Sequence, residues 1–332
     1  SSMDVLNPAT EQVLATVANG TVADAKSAVD AAARAFDGWA ARAPRERGEI
    51  LRKCFELFSA QKERFARLMT LENGKALADS RSEAVYAAEF FRWFSEEGQR
   101  NIGQISRAPS SGARILVQHK PAGVAVLVTP WNFPAAMGTR KIAPALAAGC
   151  TVVLKPASET PLTMLALAEL LAEAGVPPGV VNILPSRHSG AVVGAMLKDP
   201  RVRVISFTGS TEVGRKLLHS AADMVVRPAM ELGGNAPFLI FEDADLDAAV
   251  EGAMIAKMRN MGEACTSANR FYVHEKIHDA FVEKFTARMK ALKVGDGLAE
   301  GVAVGPLVNA ETRDKVSALV EDALKRGAKA AC

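Results

Sequence analysis

Five short segments carry residue types that could do chemistry together. Cys265 lies in Gly262-Glu263-Ala264-Cys265-Thr266, a loop of small and polar residues rather than an apolar stripe, so its thiol is a candidate nucleophile. Upstream, Glu231-Leu232-Gly233-Gly234 sets a carboxylate beside a glycine-rich turn, a candidate general base. Thr129-Pro130-Trp131-Asn132-Phe133-Pro134 brackets one asparagine between two prolines, which fix the backbone and hold its amide in a rigid frame. Lys155-Pro156-Ala157-Ser158-Glu159 offers an amine and a hydroxyl suited to ribose or phosphate oxygens. Thr208-Gly209-Ser210-Thr211-Glu212-Val213-Gly214 has the small residues that let a ligand approach a helix N-terminus. It is neither the G-x-G-x-x-G fingerprint nor a P-loop. Each segment also has a bland reading: a tight loop, a solvated charge pair at a helix entry, an inert cysteine. The set is far more specific than any member.

The elements that must position these segments follow from periodicity. The first hundred residues read as helical. Val22, Ala25, Val29, Ala32, Phe36 and Trp39 recur at three- and four-residue steps behind a Thr21 cap. One helix is expected from Pro44 to Asn73-Gly74, and another over 79–97. Residues 113–120 alternate like an edge strand. From Gly123 the style changes. Apolar runs at 124–128, 152–154, 180–184 and 204–207 alternate with helical stretches at 137–147, 162–174, 190–197 and 213–221. That alternation implies a parallel sheet covered on both faces, with a further strand at 225–231. After Gly233-Gly234 the pattern restarts: strands at 238–241 and 271–273, helices at 246–259, 277–292 and 311–326. The fold class is α/β, and a domain boundary is expected near Gly233-Gly234.

Composition narrows the function classes. A chain of 332 residues allows roughly two domains. Lys+Arg is 40 against Asp+Glu 37, too even for an electrostatic nucleic-acid footprint. No run of about 18 apolar residues reads as a membrane span, and no secretory signal is visible at the first residues. The four cysteines include no C-x-x-C pair, so a zinc site or disulfide scaffold is not expected, most are expected to be buried fillers, and a reducing cytoplasm fits. No recognised Cys–His hydrolase signature accompanies Cys265.

In order and spacing the five segments resemble the motifs of the aldehyde dehydrogenase superfamily, and the likeness runs from Asn7-Pro8-Ala9-Thr10 to the last helix. Phe90-Phe91-Arg92-Trp93, Met137-Gly138-Thr139-Arg140-Lys141 and Lys257-Met258-Arg259-Asn260 are similar to its succinate-semialdehyde branch. The resemblance implies a Rossmann-type cofactor domain over 1–233, with a bridging strand segment at about 107–122. A second α/β catalytic domain over 234–332 is expected to be incomplete, because family members continue further. A missing segment leaves a non-catalytic, nucleotide- or partner-binding fragment as an alternative, beside a broad-range aldehyde dehydrogenase.

It implies Cys265 as nucleophile, Asn132 and the Cys265 backbone amide as oxyanion donors, and Glu231 as the base that activates water. No metal is needed. Thr129, Trp131, Asn132, Lys155, Pro156, Ala157, Ser158, Gly209, Ser210 and Leu232 would contact NADP or NAD. Ser158 stands where NAD-restricted members commonly have a carboxylate, so NADP is favoured. Arg140 and Arg259 would grip the far carboxylate of an acidic aldehyde, as planar forks suit. A homodimer or homotetramer is the family default. Two departures are visible. Glu263 holds a position that is usually Gln and is expected to point away from Cys265. Ser267 replaces a second cysteine of some relatives, so their redox disulfide is not expected.

Overall fold

The computed structural model describes all 332 residues. The chain opens with a hairpin, β1 (Ser2–Leu6) and β2 (Val13–Ala18), paired antiparallel. This corrects the all-helical reading of the first hundred residues. Met3 and Val5 alternate inward and are buried, a period-two signal too short to stand out beside the helix that follows. Then come α1 (Val22–Ala40), α2 (Pro44–Ala60), α3 (Lys62–Asn73) and α4 (Leu77–Glu97). Thr21 caps α1 in a reciprocal box with Asp24. The single helix expected over 44–73 is broken at Gln61. Seven residues of continuous helix would separate Phe58 from Phe65 by about 10 Å, whereas the bend stacks their rings 4.2 Å apart in the core.

An exposed antiparallel pair follows, β3 (Gln104–Arg107) and β4 (Arg114–Val117). The chain then alternates β5 (Val124–Val128), α5 (Ala136–Ala147), β6 (Thr151–Lys155), α6 (Leu162–Ala174), β7 (Val181–Ile183), α7 (Ser189–Leu197), β8 (Val202–Gly209), α8 (Thr211–Ala222) and β9 (Arg227–Leu232). Five parallel strands lie in the order β7-β6-β5-β8-β9. The chain winds outward from β5 through β6 to β7, then crosses back to the other side of β5. The crevice between the carboxyl ends of β5 and β8 is therefore the switch point where such sheets bind ligands.

The sheet is covered on both faces. Ala125, Leu127, Val152 and Leu154 join a 31-residue apolar cluster with α2–α6, while Val124, Val126, Val153 and Ile205 join a 17-residue cluster with α1 and α7. Two smaller parallel strands, β10 (Ala236–Ile240) and β11 (Ala268–Val273), follow with α9 (Leu246–Met258), α10 (His278–Lys290) and α11 (Ala310–Lys325). Their buried cluster has only four residues, Ile240, Val250, Ala253 and Phe281, so most apolar burial rests on the five-stranded sheet. The chain after α10 returns to the first part. Leu77 N donates to Gly297 O at 2.9 Å. A Cβ at Gly305 would fall 1.9 Å from the Gly74 carbonyl oxygen, so the approach needs glycine. No helix is long and apolar enough to cross a membrane.

Candidate active site

The parallel register brings four of the five segments to one sheet edge. Val128 pairs with Lys155 on one side and Phe207 on the other. Thr208 pairs with Glu231, and Gly209 with Leu232. Thr129, buried, donates its N–H to the Lys155 carbonyl at 3.2 Å. The Leu232 side chain lies where a Cβ on Gly214 would sit, 2.5 Å away, which presses the glycine-rich loop against the end of β9. The fifth segment arrives from the second part of the chain. A Cβ on Gly234 would meet the Cys265 carbonyl at 3.4 Å, and Asn132 Nδ2 donates to the Glu263 carbonyl at 2.5 Å. Cys265 is reduced and exposed, and so is Cys332, whereas Cys54 and Cys150 are buried. Two of four cysteines are fillers, fewer than expected. Burial pushes the Cys54 thiol up to about 12, which leaves it inert.

A buried polar network holds the Asn132 loop. Lys75 and Glu83 have no exposed side-chain surface and form an ion pair. Lys75 Nζ also donates to the Asn132 carbonyl at 2.7 Å and to Asn260 Oδ1 at 2.8 Å. All three ammonium donors are thereby used. Asn260 Nδ2 donates to the same Asn132 carbonyl at 2.9 Å, and Asn73 Nδ2 to the Trp131 carbonyl at 3.1 Å. Glu83 Oε1 accepts from Ala135 N and Ala136 N at 2.8 and 2.9 Å, placing an anion on the N-terminus of α5. Glu72 does the same for α6 through Leu162 N at 2.7 Å and Thr163 N at 3.0 Å, and its burial pushes its carboxyl up to about 7. The loop before Cys265 is wound tightly. Asn260, Met261 and Gly262 take φ of 54, 57 and 83° in succession. Asn260 tolerates that region, Met261 is strained there, and Met261 Sδ accepts from Gly305 N at 2.8 Å.

Glu263 turns its carboxyl inward, where both oxygens are buried without a hydrogen-bond partner. The charges acting on it are Lys75 and Asp79, so it faces that network, and burial pushes it up to about 7. The folded state keeps a proton that the unfolded chain releases from about pH 4.5. This carboxyl's contribution therefore falls as pH rises through the window from 4.5 to about 7. Glu263→Gln should raise stability at pH 8 by about 3 kcal/mol at most, with the gain fading toward pH 4.5. Denaturant midpoints of both proteins at pH 5 and pH 8 check this. A gain equal at both pH values would contradict it.

Glu231 is exposed at the end of β9, in a cavity of about 540 Å³ that also takes in Arg140, Lys141 and Ser206. Lys141 is buried and donates to Ser206 Oγ at 2.8 Å. Burial lowers its ammonium to about 8, with Glu231 acting in opposition. Arg140 lies over the Phe90 ring at 5.5 Å, and Arg259 over Tyr86 and Phe133, each at 5.8 Å. Tyr86 and Phe90 meet edge to face on α4, so the two arginines lie along one aromatic ladder. Both are exposed and neither belongs to an ion pair, which leaves their forks free. Arg259 also ends α9 one residue earlier than expected, at φ −51° and ψ 126°.

On the β6 side, Lys155, Pro156 and Ala157 are buried and Ser158 half-buried. Burial lowers the Lys155 amine to about 8, opposed by Glu159. Ser210 Oγ accepts from Val213 N at 3.3 Å as the cap of α8. Beside it, Thr208 Oγ1 is buried and unpartnered at the switch-point edge. A dinucleotide fits this donor set: an amine, hydroxyls, a capped helix N-terminus and an orphaned hydroxyl along one crevice.

The aldehyde dehydrogenase family profile matches residues 1–332. The chain belongs to the aldehyde dehydrogenase family. It is 56% identical over 316 residues to a succinate-semialdehyde dehydrogenase of Paenarthrobacter nicotinovorans, covering 95% of this chain and 70% of that protein. It is 48% identical over 328 residues to a glutarate-semialdehyde dehydrogenase of Pseudomonas putida, covering 99% and 68%. Among solved structures, an Escherichia coli NADP-dependent enzyme superposes with a TM-score of 0.98 at 48% identity, covering 100% of this chain and 69% of that one. Within this aldehyde dehydrogenase, the sequence reading missed Lys75, Glu83, Asn260 and Glu72. Their contacts join residues far apart in the chain, which no local pattern marks.

Proposed function

We propose that the chain performs NAD(P)-dependent oxidation of an aldehyde to a carboxylic acid, with succinate semialdehyde as substrate and NADP favoured over NAD. One observation carries the reading: Asn132 and Glu231 come from segments that share a sheet edge, the loop of Cys265 is tied to that edge through Asn132 and Gly234, and two unpaired arginines stand on the aromatic ladder that reaches Phe133. The Cys265 thiolate adds to the aldehyde carbon. The oxyanion is met by the second Asn132 Nδ2 hydrogen and the Cys265 backbone N–H, each such donor typically worth about 3 kcal/mol. Lys75 and Asn260 fix the backbone carbonyl of Asn132, and the bond from Nδ2 to the Glu263 carbonyl holds the side-chain amide. The bound nicotinamide cofactor supplies the hydride acceptor. Glu231 takes a proton from the water that hydrolyses the Cys265 thioester.

Lys155, Ser158 and the backbone of Pro156 and Ala157 hold the adenosine ribose. Gly209 and Ser210 face the pyrophosphate, and Thr129, Trp131 and Leu232 frame the nicotinamide. The absence of a carboxylate side chain at Ser158, with Lys155 beside it, supports NADP. Division into a cofactor domain over 1–233 and a catalytic part over 234–332 accords with the sheet ending at Leu232. The exposed β3–β4 pair is the segment through which we expect homodimers or tetramers to form, and the cytoplasm is the expected compartment.

The arginines test the substrate. Arg259→Ala should lower kcat/KM for succinate semialdehyde by the equivalent of about 2–5 kcal/mol yet change butanal little, in NADP-coupled assays. Equal losses would favour a broad-range enzyme with structural arginines. The glutarate-semialdehyde relative makes the five-carbon acid aldehyde the third substrate in that assay, since the same fork would hold it.

A further inference from the structure

Ser158 is not a free hydroxyl. Its Oγ donates to Glu159 Oε2 at 3.2 Å. Glu159 Oε1 accepts from Asn309 Nδ2 at 3.4 Å, and the same Asn309 caps α11 through Thr312 N at 2.8 Å. Glu159 is half-buried, and it is the one charge that acts on the buried Lys155 ammonium. A carboxylate is thus held at both oxygens beside the two groups assigned to the adenosine ribose. With its hydrogen given to Glu159, Ser158 presents lone pairs outward. Lone pairs suit a ribose 2′-hydroxyl, which donates, and do not suit a 2′-phosphate, which carries nearly two negative charges and only accepts.

Resting on the cofactor assignment above, we propose that Glu159 is a specificity-determining residue that restrains the preference for the 2′-phosphorylated cofactor and keeps NAD usable. It does so by occupying the Ser158 hydroxyl and by setting a negative charge against the Lys155 ammonium. Glu159→Gln removes the charge and keeps the size. Its amide also donates, so Ser158 can turn its hydrogen to the phosphate.

Adenosine 2′,5′-bisphosphate and 5′-AMP are the probes, titrated calorimetrically into the wild type, Glu159→Gln and Glu159→Asp at low salt, with melting curves as a fold control. Glu159→Gln should tighten the bisphosphate about tenfold while 5′-AMP moves less than about twofold, and the gap should shrink as salt rises. Glu159→Asp should stay near the wild-type ratio. The NADP-to-NAD ratio of kcat/KM should rise with the binding ratio. A wild type that binds both probes, with a ratio that Glu159→Gln leaves unmoved, overturns the role of Glu159 and leaves the site standing. A wild type that binds neither overturns the ribose site itself, and the proposal with it.

Discussion

Cys265→Ala should abolish aldehyde oxidation, by about four orders of magnitude or more, as expected when a covalent nucleophile is lost. The fold should not notice. Cys265 is exposed, and substitutions at exposed positions usually shift stability by no more than about 0.5 kcal/mol. The protein should melt where the wild type melts and still bind the cofactor, because Cys265 belongs to none of the contacts on the β6 side. Mass spectrometry after mixing with aldehyde and cofactor gives the complementary result. The wild type should carry an acyl group on Cys265, and Glu231→Gln should accumulate it, since hydrolysis then lacks its base. Residual turnover by Cys265→Ala within tenfold of the wild type would contradict the nucleophile assignment. Cys54 and Cys150 are buried and offer no substitute.

Glu83→Gln should be the most damaging conservative change for stability. Removing one partner of a fully buried ion pair typically costs about 3–5 kcal/mol, because the other charge is left uncompensated. Here that charge is Lys75, whose ammonium keeps only the Asn132 carbonyl and Asn260 Oδ1. The N-terminus of α5 would also lose its anion. Lys75→Met should cost a similar amount from the other side. The double variant should cost less than the sum of the two, and denaturant unfolding of all four proteins measures that coupling. The effect should reach the chemistry too. The network fixes the carbonyl of Asn132, so surviving protein should show kcat falling more than KM. Additive stability losses, or a kcat untouched in the folded fraction, would contradict a shared role.

Much of the sheet was legible because its signals are local. Buried parallel strands read as apolar runs, and β5 and β6, with every residue buried, are such runs. Helix α6 has the bounds expected from its apolar pattern, and in the structure Pro161 and a left-handed Gly175 flank it. The hairpin β1–β2 was lost to its brevity, and β3 to its lack of apolar alternation. The break at Gln61 carries no glycine or proline, and the ring stack it allows is visible only in three dimensions.

The site divides in the same way. Cys265, Glu231 and Asn132 lie in loops whose composition is odd enough to notice. The residues that hold those loops are ordinary members of amphipathic helices. Helices α5 and α6 have no side-chain cap of their own and take glutamates from other helices. Such caps leave no mark in the sequence near the helix they serve. For the same reason the sequence supports only the expectation that Glu263 points away from Cys265, and gives no sign that its carboxyl is buried toward Lys75 and Asp79. The tight turn through Asn260 and Met261 decides it, and nothing in that dipeptide announces a left-handed pair.

The most direct test of the central claim is the initial rate of NADP reduction with succinate semialdehyde, measured beside butanal on the same protein. A rate strongly favouring the acidic aldehyde is the predicted result, because it requires Cys265 chemistry and the arginine forks at once. Butanal turned over as well as the acidic aldehyde, or neither aldehyde turned over, would contradict it.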